Sequence, residues 1–211
     1  MPNQSGSLYG LTILAPIIDD AKATPSHDLQ IREYLATLPT DTESPFALAP
    51  FTHLTRLAVM DDVIYVGAPS CEEHLVFKYL VWECNCDGDL DTYLKSLATH
   101  VPAQMDAIWS HCVGYPGAAN TAKFVEYMKA CQLTTTFYFA AVNNKTVAQT
   151  LTALQTQSAV AEFIATHQGM EPAQLQQEFL AFVAQLQSAP PALPGTTIAP
   201  LRFIKTGGRN E

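Results

Sequence analysis

Four stretches of the chain carry the short apolar period or the β-branched and aromatic enrichment that predicts a β-strand, where successive side chains point to opposite faces, and Lys78 to Cys86 reads as a strand covered on both sides. The first runs from Leu8 to Ile18, with Tyr9, Leu11 and Ile13 on one side and Gly10, Thr12 and Leu14 on the other. The second covers His53 to Met60, with Val63 to Val66 as an extension beyond a turn or bulge at Asp61-Asp62. Lys78 to Cys86 is the third and Thr134 to Val142 the fourth. Between them the spacing changes to that of a helix. Ile31, Tyr34, Leu35 and Leu38 predict a helix capped by Ser26 or Asp28 and ended near Pro39, after which Thr40 to Pro50 reads as a loop. Leu90, Tyr93, Leu94 and Leu97 predict a second helix, entered through the Asp87-Gly88 turn and capped by Asp89. Met105, Ile108, Trp109 and Cys112 share the face of a piece opening at Pro102, and Phe124, Tyr127, Met128 and Cys131 that of another. From Thr146 to Leu186 the chain reads helical, divided at Gly169 and Pro172. The tail from Ser188 is Pro-rich and then Gly-rich, so it is expected to be extended or disordered, with Ile198, Leu201, Phe203 and Ile204 able to dock on a neighbour.

This order predicts an α+β fold: a ferredoxin-like βαββαβ antiparallel sheet with helices on one face, followed by C-terminal helices. The expected division is a domain over 1–145, a helical extension over 146–187 and a tail over 188–211. Each strand contributes to two faces. Leu11, Ile13, Leu57, Val59, Leu80, Trp82, Phe137 and Phe139 form a wholly apolar set suited to lie under the helices. The opposite set is mixed, and it resembles the apolar lining with a few convergent polar groups of a small-molecule site. If the second and third strands are neighbours, Arg56 approaches Glu83. These two are the candidate catalytic pair, with Asn85, Tyr138, Thr136, Thr12 and Met60 as candidate ligand-binding residues. Arg56 would anchor an anionic group, Glu83 and Asn85 would orient the ligand or exchange a proton, and Tyr138 would line the pocket. Leu14, Met60 and Val81 on the same side would be costly to leave wet, so a second subunit is expected to cover them and make a homodimer.

Composition removes several function classes. The chain has 211 residues, a net charge of -9 and a pI near 5.0, with no Lys/Arg cluster, so a nucleic-acid partner is not expected. No stretch approaches the ~20 apolar residues of a membrane span, and Met1-Pro-Asn-Gln-Ser lacks a cationic start and an apolar run, so a cytoplasmic setting is expected. Five cysteines, an odd number spread through predicted elements, read as reduced thiols. Cys84-x-Cys86 has no partner pair at metal-site spacing, and the oxygen-rich run Asn85 to Asp91 lacks the closing Glu of an EF-hand loop. No phosphate-binding Gly-rich loop, Gly-x-Ser-x-Gly or His-Glu-x-x-His occurs. His53 reads as structural or exposed. His111, close in sequence to Tyr115, has two readings: a helix-end histidine bonding the last carbonyls, or a metal ligand to haem or a general base.

The segments Thr52-His-Leu-Thr-Arg-Leu-Ala-Val-Met-Asp61, Trp82-Glu-Cys-Asn-Cys-Asp-Gly-Asp-Leu-Asp91 and Trp109-Ser-His-Cys112 resemble the ferredoxin-like, dimeric α+β barrel superfamily. That superfamily includes dye-decolorising peroxidases, chlorite dismutases and cofactor-free monooxygenases. The likeness covers about residues 8 to 142 and lies more in arrangement than in motif. Of the peroxidase Gly-x-x-Asp-Gly loop, Cys84-Asn-Cys-Asp-Gly88 keeps Asp87 and Gly88. The resemblance implies a small, largely apolar ligand on the free sheet face, haem as candidate cofactor, and peroxidase- or monooxygenase-like redox chemistry if the chain is an enzyme. The rival class is a non-catalytic dimeric assembly protein.

Overall fold

The computed structural model describes residues 3–63, 67–68 and 74–196. Its elements are β1 (Gln4–Ser5), β2 (Leu8–Pro16), α1 (His27–Thr37), α2 (Pro45–Leu48), β3 (Thr52–Met60), β4 (Tyr79–Asp87), α3 (Leu90–His100), α4 (Pro102–Trp109), α5 (Thr121–Ala130), α6 (Val147–Thr166) and α7 (Pro172–Ser188). The strands form one antiparallel sheet in the order β1-β2-β4-β3, which with the helices makes an α+β fold. Two compact units result, Met1–Val147 with the sheet and Ala148–Glu211 with most of α6 and all of α7. No helix among the described residues is long and apolar enough to cross a membrane. Ile64 to Val66, Cys71 and the tail beyond Thr196 lie outside the described residues; Val63 adds no strand.

The core follows the strand alternation. Leu11, Ile13 and Ala15 of β2 and Leu80, Trp82, Cys84 and Cys86 of β4 point to one face, where Ile31, Phe46, Leu94, Leu97, Met105, Ile108, Trp109, Phe124 and Met128 from α1 to α5 cover them. Trp82 is the centre of this face. It is fully buried, meets Trp109 edge-on at 5.1 Å, packs near Tyr93 and Phe46, and donates its Nε1–H to Thr55 Oγ1 at 2.8 Å. α2 is a short helix inside the segment expected to be loop; it carries Phe46 into this cluster. Asp89 caps α3 as the pattern predicts, accepting from the Thr92 N–H at 3.0 Å.

Charged groups fasten α1 to the strand ends. Asp28 accepts from Lys78 Nζ and from Ser26 Oγ, both at 2.6 Å, while Asp61 accepts from Arg32 at 2.6 Å. Burial alone would raise the Asp28 pKa, but the bonds from Lys78 and Ser26 outweigh it and hold the carboxyl below its ordinary value. A carboxylate whose folded pKa is depressed stabilises the fold above its unfolded pKa and loses that contribution as pH falls through the folded one. Asp28→Asn is therefore expected to be less stable than the parent at neutral pH, with the gap closing as the pH falls below about 4. Urea melts at a series of pH values measure this; a gap independent of pH would contradict the assigned role.

The fourth predicted strand does not form. Residues 131–133 do lie along the free edge of β2: Leu14 N–H donates to the Cys131 carbonyl at 3.0 Å and Leu133 N–H to the Thr12 carbonyl at 2.9 Å. Beyond them, Asn3 occupies the edge instead. Gly10 N–H donates to the Asn3 carbonyl at 2.8 Å, and Asn3 Nδ2 donates to the Gly10 carbonyl at 3.0 Å, while β1 pairs with Tyr9 and Leu8. A strand edge offers its N–H and C=O groups once, so residues 134–142 leave the ladder. Phe137 and Phe139, expected under the helices, are instead 82% and 71% exposed. The return of this segment is fixed at Gly6, whose positive φ makes the turn between β1 and β2 and whose missing Cβ leaves room for the Asn143 carbonyl.

Candidate functional site

The face of the sheet opposite the helices is built from cross-strand rows. Thr12, Glu83 and Arg56 form one row; Gly10, Asn85 and Leu54 form the next on one side, and Leu14, Val81 and Ala58 on the other. Pro16, Tyr79 and Met60 make a fourth. The row positions of Thr12, Glu83 and Arg56 follow from register alone, since residues directly opposite each other share a face. Arg56 Nη2 donates to Glu83 Oε2 in an ion pair whose side chains are 73% and 41% exposed. A pair this exposed contributes about 0.2–1 kcal/mol to the fold, so its guanidinium can exchange partners at little cost.

An aromatic ring closes one end of the rows. Tyr138 lies against Gly10, where a Cβ would meet its ring carbons at 2.9 Å. Gly10 has ordinary extended backbone, so the glycine serves this close approach rather than a turn. The Tyr138 hydroxyl is buried without a partner among the described residues, and that burial raises its pKa, with the Cys86 and Cys84 thiols adding to the effect. Toward the Pro16 end the face stays open: Leu14, Met60 and Val81 are half-buried and Ala58 is exposed. Met60 lies four residues along β3 from Arg56, about 13 Å away. Thr136 is exposed and belongs to the irregular segment, outside the rows.

No family model matches the chain, and no curated protein or solved structure does either.

His111 stands apart from this face. It follows α4, where its carbonyl accepts from Ile18 N–H beyond the end of β2, and its Nδ1 meets His27 Nδ1, at the start of α1, at 2.9 Å. Burial and the neighbouring His27 lower its pKa, which favours the neutral imidazole. Tyr115 turns elsewhere, its hydroxyl donating to Asp106 at 2.8 Å. Among the described residues no three His, Cys, Asp or Glu side chains group as a metal site. These residues do not fit haem as expected: the imidazole intended as its axial ligand packs on His27 and not beside Arg56 and Glu83.

Three of the four described cysteines, Cys84, Cys86 and Cys112, are buried thiols, and Cys131 is half-buried. Cys84 and Cys86 are buried on the helix side, where the hydrogen bond with Cys84 and then burial push the Cys86 pKa far up; burial pushes Cys112 up to about 12. The four described cysteines are free. Thiols held protonated in this way are poor nucleophiles and poor metal ligands.

A pairing that residue spacing alone does not reveal lies at the other end of the face. The β3 register slips between Thr52 and Leu54, and the bulge turns His53 toward Asp87, with His53 Nε2 and Asp87 Oδ1 2.7 Å apart. The second Asp87 oxygen accepts from Val147 N–H at 3.0 Å. Asp87 is thus a buried anchor as well as part of the turn into α3. The signal available in the sequence is the position of His53 at a strand start together with Asp87, the first carboxylate of the Asp-rich run that ends the third strand.

Proposed function

We propose that the sheet unit is a ferredoxin-like module whose open face binds a small, largely apolar molecule carrying an anionic group. The order of the three long strands, with α1 following the first and α3 the third, supports the ferredoxin-like reading, and so does the run of residues 131–133 along the free edge of β2. The observation that carries the binding reading is the Thr12–Glu83–Arg56 row lying between an aromatic wall at Tyr138 and an apolar floor of Leu14, Ala58 and Val81. Flat apolar surface removed from water contributes about 25 cal/mol per Å², which supplies affinity, while the row orients the ligand. A carboxylate or phosphate on the ligand takes the Arg56 guanidinium from Glu83 in a bidentate pair, the geometry for which Arg is suited. Glu83, released, and Asn85 then meet the ligand's polar end. Were the ligand turned over, Glu83 is the carboxylate of the row able to take or give a proton, and peroxidase- or monooxygenase-like chemistry would also need an oxidant such as peroxide or dioxygen bound beside it.

1-Naphthoate and decanoate are suitable probes, each an anion on an apolar body. In a thermal-shift titration of the full chain they are expected to raise Tm, and Arg56→Ala to weaken the shift about tenfold or more in ligand concentration, the loss of a bidentate charge-assisted pair. Glu83→Gln, which frees the guanidinium, is expected to leave binding equal or tighter. No shift with either probe, or the same shift in Arg56→Ala, would reject the site.

A further inference from the structure

Helices α6 and α7 form a hairpin that contains no buried residue, although it carries Leu151, Leu154, Val160, Phe163, Ile164, Leu175, Phe179, Leu180, Phe182 and Leu186. Its aromatic rings are ordered among themselves: Phe163 stacks on Phe182 at 4.6 Å and on His167 at 4.0 Å, and meets Phe179 at 5.9 Å. Beside them lies an open apolar cavity of about 490 Å³ lined by Val160, Ile164, Leu175 and Phe179 among others. Ile164, Phe179 and Leu180 are 56%, 50% and 62% exposed. Two helices alone cannot enclose side chains of this size, whereas four can.

We propose that this face is covered by the same hairpin of a second copy of the chain, giving an antiparallel four-helix bundle. Size and charge argue for that occupant. A 20-residue helix is about 30 Å long and neighbouring axes lie 8–10 Å apart, so the hairpin presents a face of roughly 600 Å² before side-chain relief is counted, close to the ~800 Å² per partner of a stable dimer. From Ala148 to Ser188 the charged residues are Glu162, Glu171 and Glu178, with no Lys or Arg. A chain of net charge -9 meets little self-repulsion through so sparsely charged a surface, and a helix lying on an anionic membrane would carry Lys or Arg on its polar face. The long polar side chains that remain are Gln, which can hydrogen-bond to its own kind across a two-fold axis.

Sedimentation of the full chain across a concentration series tests this. The expected species at high concentration has twice the 23.0 kDa chain mass, and Ile164→Glu with Leu180→Glu weakens the dimer about 100-fold or more, while Met60→Glu on the sheet face leaves it intact. Should the double variant lose helicity, amide hydrogen exchange of the unaltered chain decides: protection over residues 150–186 is expected to fall on dilution while that of β2 and β4 does not. A monomer at all concentrations, a dimer lost through Met60→Glu alone, protection independent of concentration, or a monomer that binds anionic phosphatidylserine vesicles through the hairpin would each overturn the proposal.

Discussion

Trp82→Ala is expected to lower the stability of the sheet unit by about 3–5 kcal/mol, the range for removing a fully buried Trp side chain. Three effects combine in that number. The indole is wholly inaccessible, so the deleted atoms lose their transfer free energy; Trp109, Tyr93 and Phe46 are left around a cavity; and Thr55 Oγ1 loses its donor. The surrounding rings belong to α2, α3 and α4, which cannot all collapse inward at once, and this argues for the upper part of the range. Since domains of this size are stable by about 5–15 kcal/mol, a large share of the total is at stake. The urea midpoint of the sheet unit should fall by more than ~1 M at unchanged m value. A drop of a few tenths molar would mean that the helices are not seated on Trp82.

The second large effect is expected from Asp87→Ala, a loss of about 3 kcal/mol, as two charge-assisted hydrogen bonds at ~1.5 kcal/mol each disappear. His53 loses the partner that holds the β3 bulge, and Val147 N–H becomes an unsatisfied donor at the end of the sheet unit. Asp87→Asn separates the two roles, because an amide oxygen can still accept one of these bonds. It should recover roughly half the loss in the same urea titration. An alanine variant as stable as the parent would reduce Asp87 to a turn residue.

Most of the sheet was legible in the sequence because alternation is a local property. Leu11 and Ile13, Leu80 and Trp82 announce one buried face, and the Asp89 cap and the stripe of α3 follow from a few residues each. The Thr12–Glu83–Arg56 row required only parity and neighbouring strands. The stretch Thr134 to Val142 misleads for the opposite reason: β-branched and aromatic residues express a capacity for pairing, but the edge of β2 was taken by Asn3 to Ser5, more than a hundred residues earlier. Tyr138 still kept its side, reaching the open face at Gly10, whereas Thr136 lies outside the rows and Phe137 and Phe139 lost the helices they would have packed against. His111 and His27 meet across 84 residues of chain, and nothing in the spacing of either one signals the other.

The open face, and not the α6–α7 hairpin, is expected to receive the small molecule. Two-dimensional amide NMR of the labelled chain titrated with 1-naphthoate tests it most directly. Shifts concentrated at Thr12, Arg56, Glu83, Asn85 and Tyr138, and absent in Arg56→Ala, are the predicted result. Shifts concentrated at Val160 to Phe182, with the sheet unmoved, would contradict it.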